Sequence, residues 1–385
     1  MKKINAHSRR KVLKSTAALG TVAGIPDVVS TTRSLSIDID RIQGGRVELV
    51  ESKPDEGFNF PYLLFLPDDA AEQTLPLHVT THNSPPAENT VELREQLADR
   101  AHHPIFAPAR DNQHPGIVAG FPRTENDDPD QIQTMALPSH NQGPTPSQYS
   151  LSGVSTSEFS ADSLERVDQQ LIAMADDARK ELADKPYSLT EKFHMSGFSA
   201  AKTFAHRFAI LHPTEVEAIS SGGGPPLILP ASSHNGTELP YPLGTADYEK
   251  LTGREFDREA WGEIYQYITV GEEDQPLPGP DSRGYFPGSV RYPDRAEEVF
   301  GVNRVTERFP FVEKEYTKVS DSVEFEIYDG VDHTIPDRLA SDMIAFHAEH
   351  APEPPQTESE PEVNTDDDTE DSIDIISILR ELFNW

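Results

Sequence analysis

The chain of 385 residues contains no cysteine. This absence excludes a structural disulfide, a metal site built from thiolates and a lipid anchor attached to a cysteine. A folded domain must therefore be held together by its apolar core, and the roughly 320 residues between the two ends are enough to form one.

Long hydrophobic runs are also missing, so we expect no transmembrane segment in the mature protein. Near the start, the pair Arg9-Arg10 precedes a weakly apolar stretch from Ala17 to Val29. Paired arginines before such a stretch resemble a twin-arginine export signal. Residues 1–30 are therefore expected to be a signal peptide and the protein to be secreted. The alternative is a disordered basic N-terminus.

Basic residues are scarce: 33 Lys and Arg stand against 66 Asp and Glu, which gives a formal net charge of −33. Such a surface repels the phosphates of nucleic acids, and we expect no nucleic-acid partner. It also strains the compact state in dilute buffer, whereas molar salt shortens the Debye length to about 3 Å. The composition thus predicts a halophilic protein in which acidity serves solubility.

The composition changes abruptly after residue 350. Residues 351–371 are nearly all Pro, Glu, Thr, Ser and Asp, which cannot form a core, and they predict an extended acidic linker. Residues 372–385 carry apolar side chains at helical spacing and predict a short amphipathic helix that docks on the domain or on a partner. A single folded domain is expected over residues 35–350.

Within that domain, apolar strand-like runs alternate with helical patterns. The predicted strands are 60–66, 75–81, 104–108, 191–196, 216–220, 264–270 and 323–328, and the predicted helices are 90–101, 162–182, 200–211 and 338–350. A repeated β-then-α order predicts an α/β fold with a mostly parallel central sheet and helices on both faces. Segments 225–261 and 275–313 are rich in Pro and Gly and predict cap or cleft loops.

The segment Gly197-Phe198-Ser199-Ala200-Ala201 lies at a predicted junction between a strand and a helix. A sharp nucleophile turn needs small residues two before and two after the serine, because larger ones would collide with the strand and the helix. The start of the helix adds free amides and a dipole that favour negative charge. We therefore predict Ser199 as a nucleophile; a serine that only caps the helix is the alternative.

A serine hydroxyl is a poor nucleophile unless a base takes its proton and an acid orients that base. His333 lies between the last predicted strand and the last predicted helix, which is where a base is expected. Asp274 follows the predicted strand 264–270 and best suits the reach to this histidine. The order Ser199, Asp274, His333 is the order found in α/β-hydrolases.

Other carboxylates compete for the role of the acid. Glu272 and Glu273 precede Asp274 in the same turn, and Asp281 is a weaker competitor.

An oxyanion requires two hydrogen-bond donors near the nucleophile. The backbone N–H of Ala200, which follows the serine, is the expected first donor. The second is expected from the loop after an early strand, in which Asn83 and Ser84 are the candidates. The alternative for this loop is a purely structural turn.

The turn 197–201, followed by Phe204, Arg207-Phe208 and Leu211-His212-Pro213, resembles α/β-hydrolases grouped with polyhydroxybutyrate depolymerases and esterases. Segments 166–171 and 271–274 fit the same pattern, and the resemblance covers roughly residues 45–350. It implies an α/β-hydrolase fold, an ester-cleaving activity and the three catalytic residues predicted above. Lys202 departs from the pattern, since many relatives have a small residue there.

We therefore expect a secreted serine hydrolase that cleaves small or polymeric carboxylic esters without a cofactor. A serine peptidase of the same fold is the alternative within the enzymes, and a catalytically inactive binding protein on this scaffold is the alternative outside them. No metal site is expected: His102, His103 and His114 cluster, but no metal-binding spacing such as His-Glu-x-x-His occurs.

Overall fold

A computed structural model describes residues 41–70, 73–81, 87, 89–121, 163, 166–274 and 292–352 of the chain. The predicted export signal and the predicted tail helix lie outside these residues, and so does the predicted linker beyond residue 352. None of the helices in the described ranges is both long enough and apolar enough to cross a membrane.

Eight strands form the central sheet. They are β1 (Gly45–Val50), β2 (Tyr62–Pro67), β3 (His78–Thr81), β4 (Gly116–Ala119), β5 (Phe193–Phe198), β6 (Val216–Gly222), β7 (Tyr265–Gly271) and β8 (Val323–Tyr328). Their order across the sheet is β1-β2-β4-β3-β5-β6-β7-β8. β2 is antiparallel to both of its neighbours, and every other adjacent pair is parallel.

Helices follow most of the strands. They are α1 (Thr90–His102), α2 (Ala107–Asp111), α3 (Val167–Glu181), α4 (Ala200–Leu211), α5 (Tyr248–Thr252), α6 (Arg258–Glu263), α7 (Pro293–Phe300), α8 (Phe309–Tyr316) and α9 (Asp337–Glu349). A π-helical turn, Arg304–Arg308, connects α7 to α8. Two short strand pairs, 74–75 with 188–189 and 233–234 with 237–238, lie outside the main sheet.

The helices cover both faces of the sheet, as β5 illustrates. Phe193 and Met195 belong to the largest apolar core, together with residues of α3, α4 and α8. His194, between them in sequence, points to the other face and contacts His347 of α9. Since successive side chains of a strand alternate between faces, a strand buried on both sides must be apolar or internally paired throughout.

This strand order, the parallel run from β3 to β8 and the helices on both faces constitute the α/β-hydrolase fold. The predicted fold class is therefore confirmed. The bounds predicted for the helix 200–211 and for the strand 323–328 agree with the structure. All but one of the other predicted strands are present in the central sheet, with bounds shifted by one to three residues.

That exception is the predicted strand 104–108, which is wrong. Pro104 begins a 3-10 turn, and Pro108 lies in the first turn of α2. Proline has a fixed φ and no N–H, so it suits the first turn of a helix and cannot donate within a sheet. The next strand along the chain is β4, and its four residues are too few to show a clear pattern of apolar residues.

The predicted loop segments contain more regular structure than expected. Residues 225–261 include a short hairpin, α5 and most of α6, and residues 292–313 include α7, the π-helical turn and the start of α8. The predicted helix 162–182 begins at Val167. The prediction that segments 225–261 and 275–313 form cap or cleft loops stays a prediction, and residues 275–291 lie outside the described ranges.

Candidate active site

Ser199 occupies a strained turn between β5 and α4. Its backbone has φ 58° and ψ −116°, a conformation that residues other than glycine rarely adopt. Its N–H donates to the carbonyl of Gly222 at the end of β6, over 3.0 Å. The pairing of β5 with β6 thus fixes the place where the chain must turn.

The turn is possible because the residues around Ser199 are small. A Cβ atom at Gly197 would lie 2.6 Å from both the N and the Cα of Lys202, which no side chain tolerates. Ala201, the other small residue of the predicted turn, is buried. Phe198 lies on the opposite face from Met195 and packs against the His333 ring, with 4.8 Å between the ring centres and 44° between the ring planes.

Ser199 and His333 line the same cavity, and both lie close to Gly223. A Cβ atom at Gly223 would lie 2.8 Å from Cε1 of His333 and 3.2 Å from the N of Ser199. The backbone of Gly223 has φ 80°, which also favours glycine. The absence of a side chain at this position therefore keeps the space between the serine and the histidine open.

His333 is paired with Asp274. Its Nδ1 lies 2.9 Å from Oδ2 of the carboxylate, and Asp274 is buried while the histidine side chain is about a third exposed. A carboxylate can only accept, so the Nδ1–H of His333 donates to it. This tautomer leaves Nε2 available as a base on the other side of the ring.

The turns that follow β7 and β8 are hydrogen-bonded to each other and bring this pair together. Glu273 N–H donates to Val331 O over 2.9 Å. Gly271 lies so close to the second turn that a Cβ atom on it would clash with Val331 O. Of the carboxylates predicted to compete with Asp274, Glu272 accepts from the N–H of Gly330, and Glu273 is exposed. Asp281 lies outside the described residues.

Arg304 completes this cluster, and the sequence patterns did not reveal it. Its guanidinium donates to Oδ1 of Asp274 and lies 3.1 Å from Nδ1 of His333. Burial alone would raise the pKa of Asp274, but the hydrogen bond from His333 and the positive charge of Arg304 outweigh it, and the pKa is lowered. The carboxylate therefore stays ionised at neutral pH.

Lys202 and Arg308 line the same cavity, and together with Arg304 they make its wall basic. All three side chains are buried. Lys202 Nζ donates to the carbonyls of Gly223 and Pro225, over 3.2 Å each. Burial, reinforced by the charge of Arg304, lowers the pKa of Lys202 to about 7. Two buried arginines and a lysine that is only partly protonated at neutral pH thus line one cavity of a strongly acidic chain.

The predicted oxyanion donors are only partly described. Ala200 is the first residue of α4, so its N–H is one of the amides that a helix leaves without an internal partner. Asn83 and Ser84 lie outside the described residues.

No family model matches this sequence, and none of the curated proteins matches it. Solved structures resemble it weakly. An S-formylglutathione hydrolase from Agrobacterium tumefaciens is 11% identical, with a TM-score of 0.42 over 80% of this chain and 97% of that one. A siderophore hydrolase from Aspergillus nidulans is 14% identical, with a TM-score of 0.39 over 80% and 95%. An esterase from Pyrococcus furiosus is 12% identical, with a TM-score of 0.39 over 78% and 91%.

Proposed function

We propose that this protein is a serine hydrolase that cleaves carboxylic esters through an acyl-enzyme. The observation that carries the proposal is the strained turn at Ser199, which shares a cavity with a histidine hydrogen-bonded to a buried carboxylate. A strained turn of this kind exposes a serine hydroxyl at the carboxyl edge of the sheet. A histidine held by a carboxylate is the partner that such a hydroxyl needs.

In the proposed reaction, Ser199 Oγ attacks the ester carbonyl while Nε2 of His333 accepts the hydroxyl proton. Asp274 holds the ring by its Nδ1–H and stabilises the positive charge that the ring acquires. The tetrahedral oxyanion is bound by the N–H of Ala200 and a donor from the loop containing Asn83 and Ser84. On collapse, the C–O bond to the alcohol breaks and His333 returns the proton to the leaving oxygen. Water then attacks the acyl-enzyme through the same steps, and the acid is released.

The nucleophile can be tested by labelling with a fluorophosphonate probe in molar salt. We expect the wild-type chain to be labelled and Ser199→Ala to lose both labelling and esterase activity, the latter by about 10⁵-fold or more. The matched control is Ser232→Ala, which changes an exposed serine directly before the hairpin 233–238. Labelling that survives in Ser199→Ala excludes this nucleophile. A wild type that is inert to the probe and to p-nitrophenyl acetate and butyrate argues for a non-catalytic binding protein.

The identity of the acid can be tested by comparing neighbouring carboxylates. Asp274→Asn should lower kcat for p-nitrophenyl butyrate by about 10⁴-fold, because an amide no longer holds His333 in the required tautomer. Glu273→Gln, one residue away and exposed, should leave kcat within about twofold. Equal losses in the two variants, or a larger loss in Glu273→Gln, contradict the assignment of Asp274.

We further propose that the substrate carries a negative charge near the ester bond. Lys202, Arg304 and Arg308 lie in the wall of the cavity that contains Ser199, and Asp274 is the carboxylate that the described residues place beside Arg304. Cationic side chains that line a cavity can bind an anionic group through charge-assisted hydrogen bonds, which are stronger than those between neutral groups. A carboxylate on the acyl or alcohol part of the ester would accept such bonds.

Arg308 is the residue with which to test this preference, because Arg304 contacts the catalytic pair itself. We expect the wild type to favour a p-nitrophenyl ester of a dicarboxylic acid over p-nitrophenyl butyrate. Arg308→Gln should reduce kcat/KM for the anionic ester by about 10- to 100-fold, the worth of a hydrogen bond to a charged group, and affect the neutral ester little. Arg258→Gln, an exposed arginine, is the control. Equal use of both esters by the wild type refutes the charge preference and leaves the hydrolase proposal standing.

We also propose that the protein is exported through a twin-arginine signal and works at high salt. The support is the Arg9-Arg10 pair before a weakly apolar stretch, together with the net charge of −33. Exchange of both arginines for lysine should retain the chain inside the cells of a host with this export route, whereas exchange of Lys2 and Lys3 for arginine should not. Fractionation of cells and medium measures the difference, and unchanged export of the first variant contradicts the proposal.

A further inference from the structure

Four buried histidines lie on the face of the sheet that α9 covers. His78 is in β3, His194 is in β5, His347 is in α9 and His114 shortly precedes β4. The first three have no exposed surface, and His114 has 3%. One ring nitrogen of each of the first three lies within 4.8 Å of those of the other two. No sequence pattern links them, because consecutive members of the cluster are separated by 36 residues or more.

The sheet register brings the cluster together. His78 and His194 are direct neighbours in the parallel pairing of β3 with β5, so their side chains point to the same face. His347 reaches them from α9: its Nδ1 lies 3.1 Å from Nδ1 of His194, and its ring centre lies 4.7 Å from that of His78. The His114 ring lies 5.9 Å from the His194 ring.

The hydrogen bonds fix which nitrogen of His78 carries the proton. Ser196 Oγ donates its only hydrogen to the carbonyl of Ile105, over 2.7 Å. It must therefore accept from His78 Nε2–H, which lies 2.9 Å away. In the neutral ring Nδ1 then carries a lone pair, and this buried atom has no hydrogen-bond partner among the described residues. His114 Nδ1 also has no hydrogen-bond partner among the described residues.

Neutral imidazoles are the form that binds metal ions. Burial lowers the pKa values of His78, His194 and His347 well below the ordinary value, and burial also lowers the pKa of His114 to about 4. At neutral pH the rings are therefore neutral, and His78 Nδ1 presents a lone pair without a partner among the described residues. Such a lone pair is unfavourable in the interior, and a cation at the centre of the cluster would satisfy it.

We propose that His78, His194 and His347 bind one divalent transition-metal ion, most suitably zinc. Zinc accepts imidazole nitrogens at about 2.0–2.1 Å in a tetrahedral arrangement, which needs nitrogen-to-nitrogen distances near 3.4 Å. The 3.1 Å pair already has nearly this spacing, and small ring rotations bring in the third nitrogen. His114 or a water molecule supplies the fourth ligand.

The surroundings of the rings agree with this assignment. Histidines that bind a metal usually hydrogen-bond through the other ring nitrogen, which fixes their orientation. His78 does so through Nε2 to Ser196, and His347 Nε2 lies 2.8 Å from Ser220 Oγ. A surface cleft of about 560 Å³, lined in part by Glu217, Glu349 and His350, reaches His194 and offers a path of entry.

The proposed metal is structural and does not depend on the proposed hydrolase activity. His194 precedes Ser199 by five residues of nearly extended chain, or roughly 16 Å at 3.3 Å per residue. The ion would tie α9 to the two central strands β3 and β5. Because α9 follows the turn that carries His333, this link would also hold that turn against the sheet.

The test uses the full-length protein in molar salt, which weakens metal binding to surface carboxylates. After treatment with a chelator, we expect the chain to take up one equivalent of zinc, with a thermal midpoint several degrees higher than in the metal-free protein. X-ray absorption at the zinc edge should show three or four imidazole nitrogens at about 2.0 Å. No uptake, or a shell of oxygen atoms alone, overturns the proposal without any variant having to fold.

Variants then assign the ligands. His78→Gln and His347→Gln should each lose stoichiometric uptake and the zinc-dependent rise in the thermal midpoint, with far-UV circular dichroism reporting whether each variant folds. The matched control is His102→Gln, an exposed histidine in α1, which should behave as the wild type. Uptake that persists in both cluster variants excludes these ligands. If both variants fail to fold, the absorption spectrum of the wild type decides.

Discussion

β5 and β6 are hydrogen-bonded to each other up to the point where β5 ends, and the N–H of Ser199 continues this pairing to the carbonyl of Gly222. The chain must leave the sheet directly afterwards, because α4 begins at the next residue. Ser199 makes that change of direction within one residue, with a φ of 58°. The parallel register of the central strands thus imposes the strain at Ser199, and the small residues around it make the strain tolerable.

The same register determines where Gly223, Asp274 and His333 lie. Because β6, β7 and β8 run parallel to β5, the turns that follow them lie at one edge of the sheet. Gly223, Asp274 and His333 each come from one of these turns. The close approach of Gly271 to Val331 shows that the last two turns are packed against each other as a unit. The cavity beside Ser199 is therefore a product of strand order and of missing side chains at Gly197 and Gly223.

The wall of this cavity is basic even though the chain as a whole is strongly acidic. Asp274 is buried between a histidine and Arg304, and this pairing keeps it ionised against the effect of burial. Lys202 and Arg308 extend the basic wall away from the pair. On the face of the sheet that α9 covers, the buried histidines form a second polar cluster, and its members are neutral because ionised groups are unfavourable in the interior without a counter-charge.

The sequence by itself determined the alternation of strands and helices and hence the fold class, because both periodicities are local. It also indicated the turn at Ser199, since the small residues that such a turn requires occur within five consecutive positions. It ranked Asp274 above Glu272 and Glu273 but left the choice open. Only the tertiary structure showed which of these carboxylates reaches His333. The direction of a side chain in the turn after β7 depends on how that turn packs against the turn after β8.

Arg304, Arg308 and the histidine cluster could be found only in three dimensions. Arg304 lies in a segment without periodicity, and its meeting with Asp274 depends on how that segment folds back over the sheet. His78, His194 and His347 are separated by more than a hundred residues in each step, and no local pattern connects them. Strand register and helix docking join residues across such distances, and these are properties of the whole chain.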